Sequence, residues 1–435
     1  MKKTVFISFS IMLLACMLVM GEGQEEAKKG EKANLIIWSQ FAELLPVYEA
    51  AIAAYKEVRP NVAIEVVTFT MRDAEQKLAA ALPAGTGPDI YQMQLATSIQ
   101  HLDYVMKLPP EMKKYRDDNI LPQYILSKQN YNVDDEWGIG LWAWVNGIFV
   151  NTDMLKEAGL PIGLKYFEDI IPYAKKMTKY DGTGEITRAG ISLRLSGQGS
   201  GVAQKWAMIG VFNAMHHVIV QKPDGKWRED YNNDAGRNTL QYYIDCLYKH
   251  KVNSYKIKQD TEAFGLELAA MYQRDNPVIG YMKKNAPKVN YDILQMPMLK
   301  GVEKKVMLTA VQSFYVTKIS KYPQAAWAFV KYFQQPKWQE MIGIETGYEP
   351  VNKKTDRDKL YKLEPRLKSF DTSVYDKVFF EPAIPVWDEI QTKLAQRLVD
   401  AFRRQDLLDN PQGLSKVISD AAEETTTILK ESGFY

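Results

Sequence analysis

Trp137, Trp142 and Trp144 fall in one Gly-punctuated apolar run, WGIGLWAWVNG. Indole rings clustered on a hinge-like connector suit the gripping of a small, partly apolar ligand. No catalytic constellation accompanies them. His216 and His217 are adjacent, so on a helix or strand their rings point apart and make a poor metal site. The four His are scattered, and no H-E-x-x-H is present. Residues 197–201 are Gly-rich but lack the strand–Gly–Lys–Ser/Thr setting of a phosphate loop. Asp134, Asp135 and Glu136 lack the ligand spacing of a calcium loop and read as a solvated turn. Paired carboxylates of a glycosidase need a defined separation across the sugar, and no motif here indicates one. The chemistry implied is binding first and catalysis second, with no metal and no cofactor.

The 435 residues fit two domains or one large one. Hydrophobic and charged contents of 46% and 25% are those of a soluble globular protein. The formal charge is +2, and removing a leader that carries Lys2 and Lys3 brings it to 2 − 2 = 0. Such a chain has no field to attract nucleic acid or an anionic membrane.

Lys2 and Lys3 precede an almost wholly apolar run over 5–20, shorter than the roughly 20 residues of a spanning helix. This is an export signal. Within it, Leu13-Leu14-Ala15-Cys16 resembles the lipobox of bacterial lipoproteins, in which the Cys is acylated and its chains anchor the protein in the bilayer. The other reading is a signal peptide cut after Gly21 or Gly23, with Cys16 discarded. Residues 21–32 are charged, lack bulky apolar side chains and form a flexible tether. With Cys16 acylated, Cys246 is the remaining Cys, and the fold rests on its core.

The order of elements then matters. Residues 35–38 form a short buried strand, and 43–58 place Val47, Tyr48, Ala51, Ile52, Tyr55 and Val58 at helical spacing. Residues 62–69 alternate as a strand, 73–82 are helical, and another strand starts at Ile90. This β-α-β-α-β order predicts a parallel sheet covered by helices, with ligands at the C-terminal ends of its strands. The residues following those strands are therefore the ones to watch: Trp38 to Gln40, Phe69 and Thr70, and Gln92 to Gln94. Further strands are predicted at 148–151, 190–195 and 310–319, and helices at 234–250, 324–333, 339–343 and through the tail from Trp387.

Five segments in order resemble an extracellular solute-binding protein of the sugar-binding group that serves ABC importers. They are ALPAGTGPDIYQM at 81–93, the Trp-rich 137–161, AMYQRDNPVIGYMKK at 270–284, 319–354 and the helix headed by Trp387. The resemblance covers about 34–429. It implies a two-lobed α/β periplasmic-binding-protein fold, each lobe a mostly parallel sheet flanked by helices, with a hinge-closed cleft between them. Lobe 1 would take 33–140 and 298–345, and lobe 2 would take 141–297 and 346–435. The chain departs from the family pattern at Arg274-Asp275-Asn276, where a charged loop stands in place of Gly-Pro and an aromatic ring.

A sugar offers an apolar face and a rim of hydroxyls, and an unpaired buried hydroxyl costs about 1–3 kcal/mol. Trp38, Trp142, Trp144 and Trp387 are the stacking candidates, although any one Trp reads equally well as core. The resemblance puts Trp38, Trp144 and Trp387 at cleft positions. Gln40, Gln94, Asp275, Asn276 and Gln312 follow or end strands and are the rim candidates; each also reads as an exposed loop amide or a cap. Tyr348 lines the hinge side of the cleft or packs its own turn. The function expected is a monomeric, exported receptor, lipid-anchored or periplasmic, that captures a sugar and delivers it to an ABC permease. Two alternatives stand: an exported carbohydrate-active enzyme, or the same receptor binding a charged solute such as a sugar phosphate, uronate or polyamine.

Overall fold

The computed structural model describes residues 32–125, 136–197, 199–212, 217–258 and 260–435. The expected leader with Cys16, tether residues 21–31, the Asp134-Asp135 pair and His216 lie outside the described residues. Among the described residues, no helix is long and apolar enough to cross a membrane.

Two mixed sheets organise the fold. The first contains β1 (Ala33–Ser39), β2 (Val62–Thr68), β3 (Ile90–Gln94), β4 (Gly138–Trp144), β12 (Val306–Val316), β13 (Glu349–Pro350) and β14 (Lys377–Phe380). Its order is β13-β4-β12-β3-β1-β2, with β14 beside the start of β12. The second contains β5 (Asn146–Asn151), β6 (Lys179–Tyr180), β7 (Ile186–Ser192), β10 (Ala269–Asp275) and β11 (Tyr291–Gln295), in the order β11-β5-β10-β7-β6. A hairpin of β8 (Ile219–Gln221) and β9 (Trp227–Glu229) stands apart, joined by a turn over residues 222–226.

Local sequence accounts for the first lobe's frame. In β1 the buried Ala33, Leu35, Ile37 and Ser39 alternate with outward residues, as a period of two requires. Helix Leu45–Val58 starts with Pro46 in its first turn and turns Val47, Tyr48, Ala51 and Tyr55 inward. Tyr48 stacks on Phe333 of helix Pro323–Phe333, centroids 4.7 Å apart. Helix Met71–Ala81 is capped by Thr70, whose Oγ1 accepts from Asp73 N–H at 3.3 Å.

The two-lobed α/β architecture is as expected, but the sheets are not mostly parallel. β1 pairs parallel with β2 and β3, and β10 with β7. β12 runs antiparallel to both β3 and β4, and β5 runs antiparallel to β10 and β11. The cause is connectivity. β4 leads directly into β5 in the other sheet and β11 leads back into β12, so strands leaving and re-entering a sheet point opposite ways. The expected lobe boundaries also differ from the sheets. Leu141 to Trp144 belong to β4 and pair within the first sheet, so the chain changes sheets at Val145 rather than after 140. β13 and β14, in the stretch expected to belong to lobe 2, also join the first sheet because they complete its edges beside β4 and β12.

Glu349 in β13 is a buried carboxyl beside this crossing. Its Oε1 accepts from Arg357 Nη2 at 3.1 Å, while Oε2 has no partner among the described residues. Burial outweighs Arg357 and pushes its pKa up to about 7. A carboxyl whose folded pKa is raised stabilises fully below its unfolded pKa, and that stability is lost as pH rises through the folded value. Stability should therefore fall between about pH 4.5 and 7 by about 3 kcal/mol from this group. Urea denaturation of Glu349→Gln across that window should lack this slope; an unchanged slope would refute the assignment.

Candidate functional site

The crossing between sheets is held by Asn276. Its Nδ2 donates to the Ala143 carbonyl at 3.1 Å, and its Oδ1 accepts from Val145 N–H at 3.2 Å. Its own N–H donates to the Val145 carbonyl at 3.0 Å. The amide is thus bonded to the backbone on both sides of the crossing, which it clamps. Helix Pro336–Thr346 ends against the same point. Gly347 closes it at φ 84°, and a Cβ there would lie 2.5 Å from the Asn276 carbonyl.

Beside the clamp, the aromatic candidates divide. Trp142 has 0% exposure and stacks on Tyr348 with centroids 3.6 Å apart and planes at 12°. The Tyr348 hydroxyl donates to Glu43 Oε1 at 2.5 Å. These two rings form the packed base of the hinge and offer no free face. Trp144 lies on the same side of β4 but is only half-buried, with its edge toward Trp142 at 5.5 Å and Phe41 at 6.0 Å. Trp38 is half-buried at the end of β1, against Phe69 at 5.1 Å. Trp387 heads helix Trp387–Phe402 and is buried against the His217 ring at 5.2 Å. Trp137 packs with Tyr91, Met93 and Tyr315 and takes a cation–π contact from Lys107.

The amide candidates gather where β3 and β12 meet. Gln94 and Gln312 are register partners, and Gln312 also pairs with Trp142 of β4, beside a bulge in β4 at Leu141. Gln312 has 0% exposure, yet neither Oε1 nor Nε2 has a hydrogen-bond partner among the described residues. Gln94 Nε2 donates to Thr97 Oγ1 at 3.2 Å, leaving its Oε1 unpartnered. Gln40 Nε2, following β1, is buried and unpartnered as well. Buried side-chain amides in folded proteins are nearly always satisfied. Gln40, Gln94 and Gln312 thus bring several unpartnered polar atoms together on adjacent strands.

The second lobe brings charge to the same place. Asp275 ends β10 opposite Asn146 of β5. It receives Lys205 Nζ at 2.9 Å and Arg274 Nη1 at 2.8 Å. Arg274 and Arg194 both approach Asp260 at 3.6 Å. Burial opposes ionisation of Asp275, but Arg274 and Lys205 override it and hold the carboxyl well below the usual range. Burial, reinforced by Arg274, pulls Lys205 down to about 8. Asp275 therefore answers to cations of its own chain. Glu381 follows β14, is buried beside Trp387, Gln391 and Gln94, and is pushed by burial up to about 6.

Lys205 and Glu381 were absent from the sequence-derived site, though each carries a signal. Lys205 is the lone charge in the apolar helix Gly201–Phe212, and Glu381 the lone charge between Val378 and Trp387. A cavity of about 50 Å³ bordered by Gln94, Glu381, Arg116, Tyr124, Ser313 and Tyr315 adjoins them. Ligand pockets for drug-sized molecules run to roughly 300–1,000 Å³. A ligand of that size reaches the buried amides only if the lobes part.

The model of the bacterial extracellular solute-binding protein family matches residues 50–369, well over half of the chain. Among curated proteins, no sequence matches. Several solved structures share the fold. An ABC transporter solute-binding protein of Thermotoga lettingae bound with α-D-tagatose has a TM-score of 0.72 at 18% identity, covering 92% of this chain and 100% of that one. An ABC substrate-binding protein of Listeria monocytogenes in complex with cycloalternan gives 0.73 at 16%, over 93% and 100%. A maltose-bound protein of T. maritima gives 0.74 at 15%, over 91% and 100%.

Proposed function

Because this chain belongs to the bacterial extracellular solute-binding proteins, we propose that it is the substrate-binding component of an ABC importer. It captures a neutral sugar or short oligosaccharide outside the cytoplasmic membrane and presents it to a permease when its lobes close. The observation that carries this reading is the set of buried, unpartnered amide atoms of Gln40 after β1, Gln94 at the end of β3 and Gln312 beside it in β12. Sugar hydroxyls both donate and accept, so they match amide O and N atoms alike. The half-buried Trp38 and Trp144 supply flat apolar faces for the sugar ring. The similar structures named above hold tagatose, cycloalternan and maltose, which supports the same ligand class here.

The charged-solute alternative was motivated by Arg274 and Asp275. Their pairing with each other and with Lys205 gives both residues an internal role and favours a neutral ligand. Binding without turnover separates this receptor from a carbohydrate-active enzyme. A panel of neutral mono- and disaccharides should raise the melting temperature and change Trp emission, with micromolar affinity. Native mass spectrometry should recover the same sugar intact. A panel that leaves both signals unmoved rejects the sugar assignment, and release of cleaved glycoside would favour the enzyme.

We also read Cys16 as the acylated N-terminus of a monomeric, membrane-tethered receptor, on the strength of Leu13-Leu14-Ala15-Cys16. Radiolabelled palmitate should then be incorporated by the intact protein and lost in Cys16→Ala. A mature chain starting after Gly21 or Gly23 would instead mean that Cys16 is removed.

A further inference from the structure

Glu381 stands where the two lobes meet. It follows the end of β14 in the first sheet, beside Gln94, and faces Trp387 and Gln391 of the second-lobe helix. It is 9% exposed, and its Oε2 has no hydrogen-bond partner among the described residues. Lys205, from helix Gly201–Phe212, lies within electrostatic reach. Across the cavity Arg116 is paired with Asp117 at 3.0 Å. The His217 ring against Trp387 is kept neutral by burial, which lowers its pKa to about 3.

Lys205, Arg274 and Arg194 supply three cations, and Asp275, Asp260 and Glu381 three carboxylates. Asp275 and Asp260 are engaged by those cations directly. The side chains of Trp387, Gln391 and Gln94 approach the Glu381 carboxyl, while its Oε2 makes no hydrogen bond among the described residues and Glu381 borders the cavity. A ligand hydroxyl can donate to that oxygen. A ligand carboxylate would meet it as a like charge in a water-poor site, where repulsion is weakly screened.

We propose that Glu381 sets the charge selectivity of this cleft, accepting a hydroxyl of a neutral sugar and turning away the corresponding acidic sugar. The proposal rests on the sugar-binding reading and adds to it the discriminating element, a repulsive one. Because the group titrates near pH 6, the discrimination should relax in acid, where uronates remain ionised but Glu381 does not.

The test uses glucose, galactose and maltose beside glucuronate and galacturonate, measured by calorimetry near pH 7.5 and near pH 5. Wild type near pH 7.5 should prefer the neutral sugar. Glu381→Gln, which keeps shape and hydrogen-bonding capacity, should shift the neutral-to-acid ratio at least tenfold toward the uronate. Wild type near pH 5 should shift the same way, and the variant's ratio should not change with pH. A wild-type ratio that is flat between the two pH values overturns the proposal even if the variant does not fold. A wild-type ratio retained by the folded variant overturns it too. In either case neutral sugars still bind wild type and the sugar reading survives. If no neutral sugar binds wild type, that reading falls and the proposal falls with it.

Discussion

Replacing Asp275 by Ala is expected to destabilise the protein by about 3–5 kcal/mol, because buried Lys205 then loses its carboxylate while Arg274 keeps only Asp260, at 3.6 Å. Lys205 and Arg274 both bond the same oxygen of Asp275, and all three groups are largely withdrawn from water. Removing the anion forfeits the attraction and leaves mutual repulsion at short range. Removing one cation should be far milder. Lys205→Met replaces a desolvated ammonium by an apolar chain of similar length and leaves Arg274 paired with Asp275. Such exchanges are often neutral or stabilising. The double variant should therefore recover a large part of the loss, which a double-mutant cycle in urea would read as coupling between the sites. Additive losses would mean that the triad is not an energetic unit. The cycle also bears on the ligand, since a triad satisfied within the chain has no need of a charged solute.

Much of the frame was legible because it follows local rules. A short apolar run marked β1, alternation marked β2, helical spacing marked Leu45–Val58, and the strand-to-helix order implied the covered sheet. The strand-end rule is likewise local, and it placed Gln40 and Gln94 correctly, whereas Gln312 lies within β12; all three carry buried, unpartnered amide atoms. What sequence could not show is which of two equivalent neighbours the rest of the chain covers. Trp142 and Trp144 sit two apart on one strand face, but the Tyr348 ring arrives from over 200 residues away and covers only Trp142. Asn276 looked like a loop amide because its backbone partners, Ala143 and Val145, are 133 and 131 residues distant. The mixed sheets escaped notice for the same reason. Strand direction depends on where the chain crosses between lobes, and periodicity carries no record of that.

Gln312→Leu is expected to move stability and binding in opposite directions. In the ligand-free protein Gln312 buries an amide with neither end bonded, a burden of about 1–3 kcal/mol. Leucine fills nearly the same volume without polar atoms, so the variant should be more stable by up to that amount in urea. On the proposed sugar-binding reading, the same change removes a donor and an acceptor from the ligand's reach. Sugar affinity should fall by about 1–3 kcal/mol, roughly 5- to 150-fold at room temperature. A residue whose role is only structural cannot give this result, because deleting its interactions would weaken the fold and leave binding to follow. Gain of stability with loss of affinity is the pattern of a group held in an unfavourable state for its ligand. Loss of both would place Gln312 in the core. Unchanged affinity in a stabilised variant would move the sugar away from β12 and toward Trp144 and the second lobe.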